Sequence, residues 1–377
     1  MRKSLLALVA AGLLTSVTLT ACDGGSSDGA TGSDAATTSG GSEKVTGTDG
    51  VAVIFPDTTS SSRWKDDDPK YFQAAFDKAG VPNQMFNAEG DPEEFKRIAK
   101  TALDKGFKVL IIANLDAASA KAVIDDAHSR DVKVIDYDRL TLNGAADYYV
   151  SFDNKKVGQL QAQGLLSCLN QKKVKNPVIA ELNGSPSDNN AYLFKEGYDE
   201  VLNARYDNAD ALKGPDQFVP GWDEDNAREI FALMVKQFPK IDGVLAANDG
   251  LGNAAIEVLK EKGRNGDVPV TGQDATVKGL QNILTGDQCM TVYKDTKAEA
   301  EAAAALAIGL YKKDDKATKV TDKLKDPESG LYIPFVKLEP KAINRKNIKS
   351  IVDAKYVDQQ ELCTAEYRKY CTQAGIK

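Results

Sequence analysis

Short, wholly apolar runs alternate along this chain with amphipathic, charge-bearing stretches, and that alternation predicts strands and helices in turn. Residues 51–55, Val-Ala-Val-Ile-Phe, read as a first strand closed by Pro56, and a helical stretch over 64–79 stops at Gly80. A short strand at 84–87 follows, then Asp91-Pro92-Glu93-Glu94, which has the cap, the first-turn proline and the acids of a helix start. That helix ends at Gly106. The run 109–113 is continuously apolar, as a strand covered on both faces should be. A helix over 117–130 leads to a strand at 132–137, a turn at Asn143-Gly144 and a β-rich run at 148–152.

The same rhythm restarts after Asn154. It predicts a helix at 157–169, strands at 178–182, 217–219, 242–247, 268–272 and 290–293, and helices between and after them to residue 312. A β-like run at 331–338 and a charged helix near the last cysteines complete the chain. Strands alternating with helices give right-handed parallel crossovers. The fold class is therefore α/β, and two successive units of the kind predict two lobes with a cleft between them.

The chain's first residues change the picture of where it works. Residues 1–21 carry a basic start, Arg2-Lys3, an apolar core over 5–14, and then small residues, which is the pattern of a secretory signal. They end Leu19-Thr20-Ala21-Cys22, similar to a bacterial lipoprotein box, so Cys22 is the expected lipid anchor on the outer face of the cytoplasmic membrane. Residues 22–50 are dominated by Gly, Ser, Thr, Ala and Asp and are expected to form a flexible tether. No later run is long and apolar enough to span a bilayer, so the anchor is the only membrane attachment expected.

The formal charge of −7, which losing Arg2 and Lys3 with the signal makes more negative, disfavours a nucleic-acid partner. The single histidine, His128, falls on a predicted helix surface and leaves no basis for histidine catalysis or a multi-histidine metal site. Four cysteines remain, and an even count in an exported chain points to disulfides. Cys363 and Cys371 are close enough to staple the tail. Cys168 ends a helix and Cys289 begins a strand at the same outer end of one unit, which pairs them.

Nearly every unusual polar or aromatic pair falls at the carboxyl end of a predicted strand, the edge where open α/β sheets bind ligands. These are Arg63-Trp64, Asp138-Arg139, Asp153-Asn154, Asn189-Asn190, Trp222, Asn248-Asp249, Asp274 and Lys294. Carboxylates, amides and guanidinium forks suit sugar hydroxyls, which both donate and accept. Flat aromatic rings suit the C–H faces of a sugar, and the chain's two tryptophans stand at such loops, one in each half. Helix capping is the competing explanation for any single Asn or Asp. Neither glycine-rich phosphate motif is present, so no nucleotide cofactor is expected. Asp66-Asp67-Asp68 reads as first-turn acids rather than as a metal site.

Ser61-Ser62-Arg63-Trp64, Tyr137-Asp138-Arg139-Leu140, Tyr149-Val150-Ser151-Phe152-Asp153-Asn154 and Val157-Gly158-Gln159-Leu160-Gln161 resemble the xylose-binding branch of the type I sugar-binding proteins of ABC importers. So do the stretch Gly184 to Ala191, Gly221-Trp222, Ala247-Asn248-Asp249-Gly250, Gly272-Gln273-Asp274-Ala275 and Met290-Thr291-Val292-Tyr293-Lys294. The resemblance implies the periplasmic binding protein type I fold: two Rossmann-like, doubly wound lobes, 51–152 with 292–336 and 153–291 with 337–377, joined by three hinge crossings. It implies Arg63, Asp138, Arg139, Asn154, Asn248, Asp274 and Lys294 as hydroxyl partners, one amide of Asn189-Asn190, Trp222 as a stacking platform and Trp64 as the opposing wall. The implied ligand is a monosaccharide, D-xylose before glucose, galactose or arabinose. The implied partners are ABC permease subunits, with the receptor monomeric; a sensor kinase is the alternative. A glycosidase would need a carboxylate with a raised pKa, and no enzymatic turnover is expected.

Overall fold

A computed structural model describes residues 49–377; the export signal, Cys22 and the tether up to residue 48 lie outside the described residues. Gly50 already belongs to the folded body. Its carbonyl accepts from Lys108 N at 2.9 Å, and a Cβ there would meet the Pro82 carbonyl oxygen.

The chain begins with β1 Val51–Phe55, α1 Arg63–Asp66, α2 Asp68–Ala79, β2 Asn83–Asn87, α3 Pro92–Asp104, β3 Val109–Ile112, α4 Ala117–His128, β4 Lys133–Tyr137 and β5 Tyr148–Phe152. It continues through α5 Asn154–Gln171, β6 Val178–Asn183, α6 Asn189–Asp207, β7 Leu212–Phe218, a single 3-10 turn Pro220–Trp222, α7 Glu224–Gln237, β8 Gly243–Ala246, α8 Asp249–Glu261 and α9 Val277–Thr285. Then come β9 Thr291–Tyr293, α10 Thr296–Lys312, β10 Lys323–Lys325, β11 Tyr332–Leu338, β12 Lys341–Ile343, α11 Lys349–Asp353, α12 Gln359–Leu362 and α13 Arg368–Gln373.

Strands β1 to β5 form one sheet with β10 and β11, in the order β10-β11-β5-β4-β3-β1-β2, parallel throughout except that β10 runs against β11. The two-residue period of β1 divides the core. Val51, Val53 and Phe55 pack with Phe72 and Phe76 of α2 and Ala303 and Ala307 of α10, while Ala52 and Ile54 pack with Phe95 of α3 and Ile124 of α4. The chain runs from β1 to β2 on one side and to β3 on the other, so the switch point of this sheet lies at the carboxyl end of β1.

The second sheet has the order β7-β6-β8 and its own core around Leu165, Phe194, Tyr198, Phe231 and Leu245. The strand predicted at 268–272 runs along the edge of β8 but makes only one ladder pair, Val244 with Val270. Pro269 has no N–H to give to a ladder. The run nevertheless links β8 to β9, because Cys289 N donates to Val270 O at 2.8 Å and Val292 N to Gly272 O at 3.1 Å.

Three crossings join the lobes. Phe152 ends β5 in the first sheet and Asn154 starts α5 in the second core; β9 pairs with β12 while α10 returns to the first core; and β11 pairs with β5 before β12 turns back. Cys168 pairs with Cys289 and Cys363 with Cys371, the pairing expected from the sequence. The tail helices α11 to α13 lay Ile351, Leu362 and Cys371 on Leu280 and Ile283 of α9. Among the described residues no helix is long and apolar enough to cross a membrane.

Candidate functional site

The carboxyl ends of both sheets face one small, narrow cavity, lined from the first lobe by Ser60, Ser61, Arg63, Trp64, Asp138 and Arg139. Asp188, Asn190, Phe194, Trp222, Asn248, Gln273 and Asp274 line it from the second, and Lys294 from a hinge segment.

Asp138 is its centre. The residue follows β4 at φ +61, a left-handed conformation that aspartate tolerates better than most residues. Its carboxylate accepts from Arg63 Nη1 at 3.0 Å, Lys294 Nζ at 2.9 Å and Asn190 Nδ2 at 3.0 Å. Its carbonyl oxygen accepts from Tyr149, Ser151 and Asn190. Burial alone would push this carboxyl up, but the Lys294 and Arg63 charges outweigh it and hold the pKa at about 2. Asp138 is therefore an anion at neutral pH.

Behind it, Arg63 is clamped. Its guanidinium reaches Asp68 Oδ2, the Tyr137 hydroxyl and Glu299 Oε2 at 2.9, 2.9 and 2.6 Å. Three carboxylates, Asp68, Asp138 and Glu299, face two cations, Arg63 and Lys294, so the cluster carries one negative charge too many for a buried place. Burial pushes Glu299 up to about 8 and Asp68 up to about 6, in the direction that relieves the surplus charge. Sequence reading passed over both acids. Glu299 had a visible signal, because it stands in the apolar stripe of α10 with Ala300, Ala303 and Ala307. Asp68 stands in the first turn of α2, as expected, but is buried there and bound to Arg63. Among the described residues no cluster of metal-ligating side chains is present.

Arg139 donates to Asn114 O at 2.9 Å and the Ser60 hydroxyl at 3.2 Å, and its Nε lies 3.0 Å from Asp188 of the other lobe. Asp188 caps α6 through Asn190 N and accepts from Trp222 Nε1 at 3.1 Å. Trp222 thus has its ring orientation fixed by the same carboxylate that pairs with Arg139. Its ring also needs Gly184, where a Cβ would overlap the indole. Trp64 presents its ring to Arg63 at 4.4 Å and Arg139 at 5.5 Å, within cation–π range, while packing on Phe55 and Tyr137. Both tryptophans are mostly buried, and both line the cavity.

Asn248 Oδ1 accepts from Leu251 N as the cap of α8, leaving its amide nitrogen as a donor. Its neighbour Asp249 points away from the cavity and ties Gln288, Thr276 and Thr291 together. Of the Asn189-Asn190 pair, the structure puts Asn190 on the cavity wall; Asn189, one residue earlier on α6, is half-exposed and points elsewhere. Asn154 is also off the wall. As the first residue of α5, it is buried against Tyr149 and Ser151 and donates to Asn190 Oδ1 at 2.8 Å. It sits behind Asn190 and orients it. Phe194, Asp188 and the Ser60-Ser61 pair are wall residues that sequence reading did not select.

Residues 51–315 match the family model of the periplasmic binding protein domain. The D-xylose-binding periplasmic protein of Escherichia coli is 34% identical over 306 residues, covering 80% of this chain and 88% of the relative. The multiple sugar-binding periplasmic receptor ChvE of Rhizobium radiobacter is 32% identical over 339 residues, covering 83% and 92%. An ABC transporter solute-binding protein from Clostridium phytofermentans, solved with bound β-D-glucose, superimposes with a TM-score of 0.75 at 26% identity, covering 83% of this chain and 99% of that one. With its parallel sheets, three crossings and interlobe cavity, the chain belongs to the periplasmic binding protein family, in its type I fold, and is an extracytoplasmic binding protein rather than an enzyme.

Proposed function

We propose that the chain is the sugar receptor of an ABC importer, holding one monosaccharide between its lobes and releasing it unaltered to a membrane permease. The observation that carries this reading is the wall of the cavity, where charged and amide groups converge on a space bounded by Trp222, Phe194 and Trp64. Arg63, Asp138, Arg139, Asn190, Asn248, Asp274 and Lys294 serve as hydroxyl partners. Trp222 is the stacking platform, Trp64 the wall across from it, and Asn154 acts through Asn190.

D-xylose is the preferred ligand, supported by the 34% identity with the Escherichia coli relative. Glucose is the competing ligand, supported by the Clostridium structure. Sugar contacts made from both lobes favour the closed form, since a ligand moves such an equilibrium only through its differential affinity. The lobes open about the crossings near residues 153, 294 and 339. The receptor works as a monomer, held to the membrane by lipid on Cys22.

A thermal-shift panel of pentoses and hexoses tests the assignment, because a ligand bound only by the folded chain raises its melting temperature. D-xylose is expected to give the largest rise. A larger rise with glucose reassigns the ligand, and no rise with any aldose removes the sugar reading.

A further inference from the structure

Asp274 and Ala275 are consecutive non-glycine residues with positive φ, +105 and +53. A turn of this kind persists only where its surroundings hold it. Three backbone N–H groups are held from within the second lobe: Asp274 N donates to Val292 O at 2.9 Å, Ala275 N to Thr291 Oγ1 at 3.2 Å and Thr276 N to Asp249 Oδ2 at 2.8 Å. The Asp274 carbonyl is held from the tail, where the Tyr356 hydroxyl donates to it at 3.0 Å. The Tyr356 ring meets Tyr293 edge-on at 4.7 Å, and Tyr293 directly precedes Lys294 on the cavity wall. Tyr356 therefore touches two of the segments that carry charges into the cavity, those of Asp274 and Lys294. The tail that bears it is anchored on α9 and closed by the Cys363–Cys371 bridge.

We propose that Tyr356 is a positioning residue for ligand binding, fixing the strained turn so that the Asp274 carboxylate is presented to a sugar hydroxyl. The carboxyl-terminal tail is thus part of the binding apparatus without touching the ligand. This rests on reading the cavity as a sugar site with Asp274 among its contacts.

The test is a double-mutant cycle by calorimetry with D-xylose, or with whichever aldose the thermal-shift panel selects. Tyr356→Phe removes the hydroxyl and keeps the ring. It should weaken binding about five- to twenty-fold with little change in melting temperature, and should change affinity less than two-fold when Asp274 is already Ala. An unchanged affinity in Tyr356→Phe, or an undiminished further loss in the Asp274→Ala background, overturns the proposal. Wild-type affinity in Asp274→Ala alone overturns it differently, by removing Asp274 from the site. Absence of sugar binding by the unaltered chain removes the underlying reading as well.

Discussion

The two walls of the cavity are pre-organised by different means. On the first lobe, Arg63 and Asp138 are held by a buried charge cluster reaching back to Asp68 and Glu299, with Lys294 joining from the hinge. On the second, the polar groups are by-products of local backbone structure: Asp188 and Asn248 cap helices, and Asp274 rides on a strained turn. The first wall is costly to assemble and fails as a unit when one charge is removed. The second is more modular, although Asp188 both orients Trp222 and pairs with Arg139 and so is not lost alone. Two contacts join them, the hydrogen bond from Asn190 to Asp138 and the ion pair of Arg139 with Asp188.

The largest expected effect comes from Asp138→Ala. Removing one partner from a buried charge pair costs ~3–5 kcal/mol, so this variant should melt markedly lower and lose sugar binding altogether. A stable, binding-competent Asp138→Ala chain would mean that the first wall is as modular as the second. Trp222→Ala should leave the fold in place and weaken binding at least ten-fold, since a buried aromatic platform contributes ~1.5–3 kcal/mol; calorimetry measures it, and unchanged affinity would remove Trp222 from the site. Sharper still is the neighbouring pair on α6. Asn190→Ala should cost about ten-fold in affinity and Asn189→Ala less than two-fold, because only Asn190 faces the cavity and Asp138.

The last expected effect is one of pH on the stability of the unliganded chain. In the fold Glu299 titrates near 8 and Asp68 near 6, above the ~4.3 and ~3.9 of free carboxyls. The folded state thus holds protons that the unfolded state releases, and stability falls as pH rises through those windows. The same holds for Asp249, which burial and the nearby Asp274 raise to about 7. Asp138 works in the opposite direction but only below about 4, so it stays ionised throughout. Scanning calorimetry should find a higher melting temperature at pH 5 than at pH 8, and Glu299→Gln should reduce that difference. A melting temperature that rises from pH 5 to pH 8 would contradict the surplus charge assigned to the first wall.

Sequence pattern carried the alternation of strands and helices, because buried parallel strands such as 109–112 are apolar on both faces and stand out from their surroundings. It carried wall residues at strand ends, Asp138-Arg139 above all, because several such pairs recur at the one sheet edge where open α/β folds bind ligands. It did not carry what lies one layer deeper. Glu299 and Asp68 are acids far from Asp138 in the chain, and the ion pairs that explain their burial exist only once α2 and α10 pack on the same sheet face. The choice between Asn189 and Asn190 needed the phase of α6, which an Asp188 cap fixes but a run of polar residues does not reveal. The apolar run at 268–272 did not show that Pro269 limits its pairing with β8. Tyr356 was invisible, because its partner is a backbone carbonyl 82 residues earlier.

Both of the chain's tryptophans line the cavity and stand on opposite lobes, so indole emission reports on this cleft and on little else. A titration of intrinsic tryptophan fluorescence with D-xylose therefore tests the account most directly. A saturable change at one sugar per chain, largely lost in Trp222→Phe, is the expected result. Emission unmoved by D-xylose, glucose, galactose and arabinose alike would contradict the claim that these two walls close on a monosaccharide.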